Sequence, residues 1–262
     1  MMQEMYVALS GALAAERSMA TIANNIANVA TAGYCADHVT VSGVLPPSDT
    51  AGIANDVDPK LGVPRATPGF VEVLYASLER DAVDLSPGVV RETSVKTDLM
   101  IEGDGFFVID TPAGDRYTRQ GAVHLRADGA MVTLDGMKLA NASGGQIQIE
   151  TADFKVAPDG TVTDGKGKDA GKLRIVTIPD KALLIKDGGA RFRVDKEDFE
   201  PEEADPKAVK VRQGWLENSN VHIVDELISM IQVQRAYQSY QKLIQTSDSM
   251  TSQYISTLVS EG

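Results

Sequence analysis

The chain has 262 residues, 43% of them hydrophobic, enough for one sizeable core or two modest domains and incompatible with wholesale disorder. A formal charge of −12 repels a phosphate backbone, which argues against nucleic acid and anionic membrane surfaces as partners. The single cysteine, Cys35, cannot form an internal disulfide, and three histidines are too few and scattered for a zinc site, so no metal or cofactor is expected and the fold must rest on packing.

Charge is concentrated in the middle. Of 25 basic and 37 acidic residues, only nine fall within positions 1–34 and 218–262 together, so the ends and the middle are built for different surroundings. Met5 to Ala15 is mostly apolar and contains an Ala-x-Ala triplet, but Met1 to Glu4 carries no Lys or Arg, so no cleaved secretory signal is expected. Nor does any run reach the ~18 apolar residues of a membrane span, and no membrane insertion is expected.

The first predicted element is a helix, because Met5, Ala8, Ala12, Ala15, Met19, Ile22, Ile26 and Val29 follow an unbroken 3,4 spacing, the rhythm of a coiled-coil seam. A second apolar stripe of Met2, Tyr6, Leu9, Leu13, Ala20, Ala23 and Ala27 lies beside it, broken only by Glu16, so this helix needs partners on two sides. Leu9, Leu13, Met19, Ile22 and Ile26 are therefore candidate interface residues. Asn24, Asn25 and Asn28 are read as polar groups that set register in that helical interface, with Asn24 and Asn28 one turn apart on one face. Gly33 is placed to supply the left-handed residue that ends the helix. The N-terminal helical segment is thus assigned to residues 1–35.

Residues 36–66, with Pro46-Pro47, Pro59 and Pro64, read as an irregular connector. From 67 to 217 the pattern changes to short β-prone runs: Gly105–Ile109, Ala130–Leu134, Gln146–Ile149 and Lys172–Val176. Asp104-Gly105, Asp128-Gly129, Asp135-Gly136, Asp159-Gly160 and Asp187-Gly188 are hairpin signals. Residues 218–262 return to helix, from about Val224 to Leu258, on the seam Met230, Val233, Tyr237, Tyr240 and Ile244, resumed by Tyr254 and Leu258. Beside it Leu227 and Ile231 lead into Gln234, Gln238, Gln241 and Gln245, neutral amides suited to a crowded bundle. Leu227, Met230, Ile231, Val233, Tyr237, Tyr240 and Ile244 complete the candidate interface. The expected fold is α+β, with the two terminal helices paired as a coiled coil around a central mainly-β domain.

Constellations that could carry chemistry resolve to structural readings. Gly103-Asp104-Gly105 lacks the third glycine of a dinucleotide fingerprint and leads into a strand rather than a helix. Cys35, Asp37 and His38 form one local cluster with no distant fourth ligand, and Asp195 to Asp205 lacks the ligand spacing and central glycine of an EF-hand loop. No nucleophile, base and orienter fall together, so an enzyme is not expected. A secreted β-domain hydrolase using opposed carboxylates is the competing reading from another class.

Several of these segments resemble those of flagellar rod and hook proteins. Ala23-Asn24-Asn25-Ile26-Ala27-Asn28 followed by Thr31-Ala32-Gly33-Tyr34 is similar to the family's N-terminal signature, although Cys35 stands where relatives often carry Lys. Ile101–Phe107 and Tyr117–Gly121 resemble the start of its β domain, and Val211–Val221 with Gln234-Arg235-Ala236-Tyr237 its C-terminal segment. The opening Met5–Ala12 most resembles the proximal rod branch, while distal rod and hook members share the other motifs. The resemblance implies a structural subunit exported by the flagellar type III apparatus into the periplasmic rod. It also implies partners among proximal and distal rod proteins and copies of itself, and a role in transmitting torque through helical contacts.

Overall fold

The structure is a computed structural model and describes residues 2–44, 75–78, 82–150, 153–195, 199 and 201–260. A helix α1, Met2–Ala27, opens the chain, short strands fill the middle, and a helix α2, Ile223–Ser260, closes it. The chain divides into two compact units, one of residues 1–23, 38–81 and 227–262, the other of residues 24–37 and 82–226.

In the first unit, the buried face of α1 is small. Ala8, Ala12 and Ala15 recur at intervals of four and three and are buried, with Gly11 beside Ala12 also buried and Ile22 buried one heptad beyond Ala15. Small side chains let a neighbour approach closely, and Gly11 shows why: a Cβ there would lie 2.6 Å from the ring of Tyr240 on α2. The seam residues of α2 follow suit, with Met230, Val233, Tyr237, Tyr240 and Ile244 half-buried. Strands Val41–Val44 and Tyr75–Leu78 pair antiparallel in the same unit.

The second unit is the β body. Its nine-stranded sheet runs in the order Leu184–Lys186, Arg191–Val194, Gly114–Thr118, Phe106–Thr111, Lys138–Leu139, Met131–Thr133, Val123–Leu125. Ile175–Thr177 adds to Phe106–Thr111, and Glu202–Glu203 to Ile175–Thr177. Phe106–Thr111 is buried on both faces over Phe106–Ile109, which explains its unbroken apolar run. One face meets a core of Leu99, Phe107, Val123, Leu139, Ile147 and Val211, the other a core of Phe106, Val108, Tyr117, Val176 and Phe192. There Phe106 and Phe192 meet edge to face at 5.9 Å. Outside the large sheet, Lys210–Gln213 pairs with Leu99–Glu102, and Trp215–Glu217 with Val90–Glu92.

Several expectations need correction. The sequence predicts an irregular connector from residue 36, yet Asp37–His38 and Val41–Val44 are strands; residues 45–74, with their prolines and the expected start of the β domain at 67, lie outside the described residues. Gln146–Ile149 alternates because Ile147 and Ile149 are buried, but it makes only isolated bridges from Gln146 to Ala140 and from Gln148 to Ala130. Lys172–Val176 is split between the strands Asp169–Lys172 and Ile175–Thr177. Four Asp-Gly pairs do turn with the glycine at positive φ, but in Gly103-Asp104-Gly105 it is Gly103 that takes it, at 108°. Gly105 is small for another reason: a Cβ would lie 2.9 Å from Val209 Cγ1. The terminal seam positions Tyr254 and Leu258 fall outside the described side chains.

Two glycines make a test of close approach against backbone conformation. A Cβ on Gly121 would lie 1.5 Å from the carbonyl oxygen of Leu99, so Gly121→Ala must push strand backbone aside and should cost about 3 kcal/mol or more. Gly136, at φ 78°, has nothing within 4 Å, so Gly136→Ala should cost only about 1–2 kcal/mol of left-handed strain. Urea unfolding of the two variants checks the order; equal losses would contradict it.

Candidate functional site

Two features stand out: a junction within the second unit, where the last turn of α1 meets the first turn of α2, and the apolar side chains the helices leave uncovered among the described residues. At the junction α1 stops at Ala27, earlier than the Gly33 stop read from the sequence. The amide N–H of Asn28 is shared between the carbonyls of Asn24 and Asn25, and its side-chain amide donates to Asn24 O at 2.8 Å, which closes the helix end. Gly33 has a different role. At φ 67° it donates its N–H to Glu217 O at 2.8 Å, and a Cβ would lie 2.4 Å from the Arg119–Gln120 backbone.

The segment after Gly33 passes through the interior. Tyr34 packs with Ala36 and Val221, and Cys35 enters the core around Phe106 and Val108. Ala36 N donates to Asn220 Oδ1 at 2.8 Å, while the Asn220 amide donates to Asp84 O and Ser86 O. Lys186 reaches in from the β body, donating to Cys35 O at 2.6 Å and Asp37 Oδ2 at 2.7 Å, with its Nζ 3.7 Å over the Tyr34 ring. Burial pulls the Lys186 ammonium below its ordinary pKa, and the Asp37 carboxylate only partly offsets this. Beneath the segment Arg119 and Glu217, both almost wholly buried, pair at 3.2 Å. The remaining groups of that pair are satisfied: Arg119 donates to Gly103 O, and Glu217 Oε1 accepts Gly88 N.

Asn25 sits at the centre. It is 1% exposed, its Oδ1 accepts from Tyr34 Oη and Asp37 N, and its Nδ2 donates to Asp37 O and Glu226 Oε1. The sequence reading grouped it with Asn24 and Asn28 as an interface amide; the structure instead occupies it with partners inside its own chain. Asn24 is exposed and Asn28 half-buried, and the two bond to each other as their spacing suggested.

Of the other candidates, Ile22 is buried and Met19 and Ile26 half-buried. Leu9 and Leu13 are 45% and 52% exposed, Leu227 and Ile231 48% and 52%. With Tyr6 they form apolar stripes with no cover in the described residues, on helices that carry almost no charge. Sequence reasoning missed Lys186, Asp37 and Glu226 as junction residues. Arg119, Glu217 and Asn220 lay inside the quoted motifs without a stated role. Among the described residues no three His, Cys, Asp or Glu side chains are placed to hold a metal ion, and no helix is long and apolar enough to cross a membrane.

The segments that meet here are also those by which the chain matches known proteins. Residues 5–34 match the model of the flagella basal body rod protein, 100–164 that of the flagellar hook protein FlgE/F/G D1 domain, and 212–258 that of the flagellar basal body rod FlgEFG protein C-terminal. The chain is 32% identical to the flagellar basal-body rod protein FlgG of Bacillus subtilis, covering 97% of this chain and 98% of the relative. The chain belongs to the flagellar basal-body rod protein family. It is 30% identical to the FlgF of Caulobacter vibrioides over 92% of this chain and 91% of that one, and 29% identical to the FlgF of Mesorhizobium japonicum over the full length of both. Membership makes it a structural subunit of the basal-body rod.

The Cys35 thiol reports on that junction. Burial, with the nearby Glu217 carboxylate, pushes its pKa from 9.0 up to about 11. The thiol is ionised less readily folded than unfolded, so its contribution is full below pH 9 and is lost as pH rises from about 9 to 11, about 3 kcal/mol in all. Urea unfolding across that range should show stability falling with pH, and Cys35→Ala should flatten the slope. An unchanged slope in the variant would contradict the burial of Cys35 in the β body.

Proposed function

We propose that this subunit assembles by laying the uncovered stripes of α1 and α2 against helices of neighbouring subunits, while the small-residue seam pairs the two helices of one chain as a coiled coil. The observation that carries this reading is the exposure of Tyr6, Leu9 and Leu13 along one side of α1, at i, i+3 and i+7, beside a face that is already buried. Burying a large apolar side chain contributes ~1.5–3 kcal/mol, so three in a row drive association without any charged contact. The amide row Gln234, Gln238, Gln241 and Gln245 on α2, exposed in the subunit, suits a crowded neighbour that neither repels nor demands a counter-ion. Asn24, Asn28, Leu227 and Ile231 belong to the same proposed interface, with Met19 and Ile26 at its edge. Heterologous contacts of this kind propagate along a tube, which suits a rod that transmits torque across the periplasm.

Within the family we assign the chain to the proximal rod, as an FlgF-type subunit, on the strength of its Met5–Ala12 opening and its end-to-end match with FlgF relatives. The 32% identity with an FlgG protein favours the second reading, an FlgG-type rod subunit. Its neighbours would be other rod proteins and copies of itself, delivered by the flagellar type III export apparatus.

Changing Leu9 and Leu13 together to Asp tests the interface while sparing the fold, since about half of each residue is already exposed in the subunit. The double variant should melt at the wild-type temperature by circular dichroism, be exported, and fail to support rods in isolated basal bodies or swimming in soft agar. Normal rods would remove this stripe from the interface.

A further inference from the structure

We propose that Asn25 is a latch that fastens the last turn of α1 to the first turn of α2 within the subunit, so that the two helix roots are held together before any neighbour is met. This role is separate from the assembly contacts proposed above and does not depend on them.

The argument rests on the chemistry of one buried amide. Its oxygen accepts from Tyr34 Oη and from Asp37 N, both at 3.0 Å. Its nitrogen donates to Asp37 O at 2.9 Å and, across 201 positions of chain, to Glu226 Oε1 at 2.8 Å. A carboxamide has two acceptor sites and two donors, and all four are used here. No other side chain of this size offers both: Asp has no donor, Ala has neither, and Gln carries an extra methylene into a site that is 1% exposed. Each partner is itself fixed. Tyr34 is held between Val221 and the ammonium of Lys186, Asp37 is paired with Lys186, and the Glu226 N–H begins the α2 ladder on His222 O at 3.1 Å. Glu226 in the first turn also complements the positive end of the α2 dipole, so its carboxylate favours that position whether or not Asn25 is present. What Asn25 adds is the link to α1, and with it a fixed spacing between the two roots.

Exchanging donor and acceptor tests the latch. Asn25→Asp removes both donors and sets a carboxylate against Glu226, and adding Glu226→Gln returns a donor from the opposite side, rebuilding the link with reversed polarity. Amide hydrogen exchange of the full-length protein is read over residues 226–230, with Phe106–Ile109 in the β core as the internal control. Asn25→Asp should speed exchange at 226–230 on the order of tenfold, and Asn25→Asp with Glu226→Gln should bring it back to within about threefold of wild type. Unchanged exchange in Asn25→Asp, no recovery in the pair, or an equal rise in the core control would each overturn the proposal. If Asn25→Asp does not fold, Glu226→Ala and Asp225→Ala decide together, since each removes one first-turn carboxylate of α2 but only the first also removes the acceptor of Asn25. Faster exchange at 226–230 in Glu226→Ala than in Asp225→Ala, with a protected core, sustains the latch, and equal exchange in the two overturns it.

Discussion

A segment without helix and with almost no strand, Gly33 to Asp37, runs through the inside of the β body, and its backbone has to be satisfied there. Gly33 to Ala36 are buried and Asp37 half-buried, so their carbonyls and N–H groups need partners from the protein, and a missing one costs about 1–3 kcal/mol. The partners come from far along the chain: Glu217 for Gly33, Asn220 for Ala36, Lys186 for Cys35, Asp84 for the Ala36 carbonyl and Asn25 for both backbone groups of Asp37. This requirement orders the rest. It needs the buried Arg119–Glu217 pair beneath it, a glycine at 33 where backbones touch, and both ends of the chain delivered to one place.

That constraint explains why motifs so distant in sequence are found in one chain. The asparagine-rich end of α1, the Tyr-Thr-Arg-Gln-Gly run and the Gln-Gly-Trp-Leu-Glu-Asn-Ser-Asn run read as separate signatures. In the fold they are walls of one enclosure. Arg119 donates to the carbonyl of Gly103, which draws the Gly-Asp-Gly turn into it as well. The glycines that stood out as a weak nucleotide-binding signal are there because backbone and side chains pass too closely for a Cβ, at Gly103 against Ala208 O and at Gly105 against Val209.

Periodic features were legible and long-range pairings were not. The 3,4 spacing announced both helices and the two apolar stripes of α1, because helix geometry converts sequence spacing directly into a surface; which stripe the subunit itself covers came only from the structure. The Asp-Gly hairpins were legible for the same local reason. Lys186 carried no signal, since a lysine in a strand is normally solvated and its partners at Cys35 and Asp37 lie 151 and 149 positions away. For Asn25 the sequence suggests an interface amide, while the structure gives its four hydrogen bonds to its own chain, because a buried polar side chain at a helix end looks alike in sequence whichever it faces. The short strands after Asp37 were missed because two to four residues are too few to show alternation.

Anchored roots and uncovered stripes describe a subunit with a finished body and unfinished ends. The body is closed by packing and internal hydrogen bonds, whereas Leu9 and Leu13 sit in water on a helix with few charges to keep it there. The direct measurement is maleimide labelling of a single cysteine placed at Leu13 in a Cys35→Ala background, compared between the purified subunit and isolated basal bodies. The account predicts rapid labelling in the subunit and protection in the assembled rod. Equal labelling in both states would contradict it.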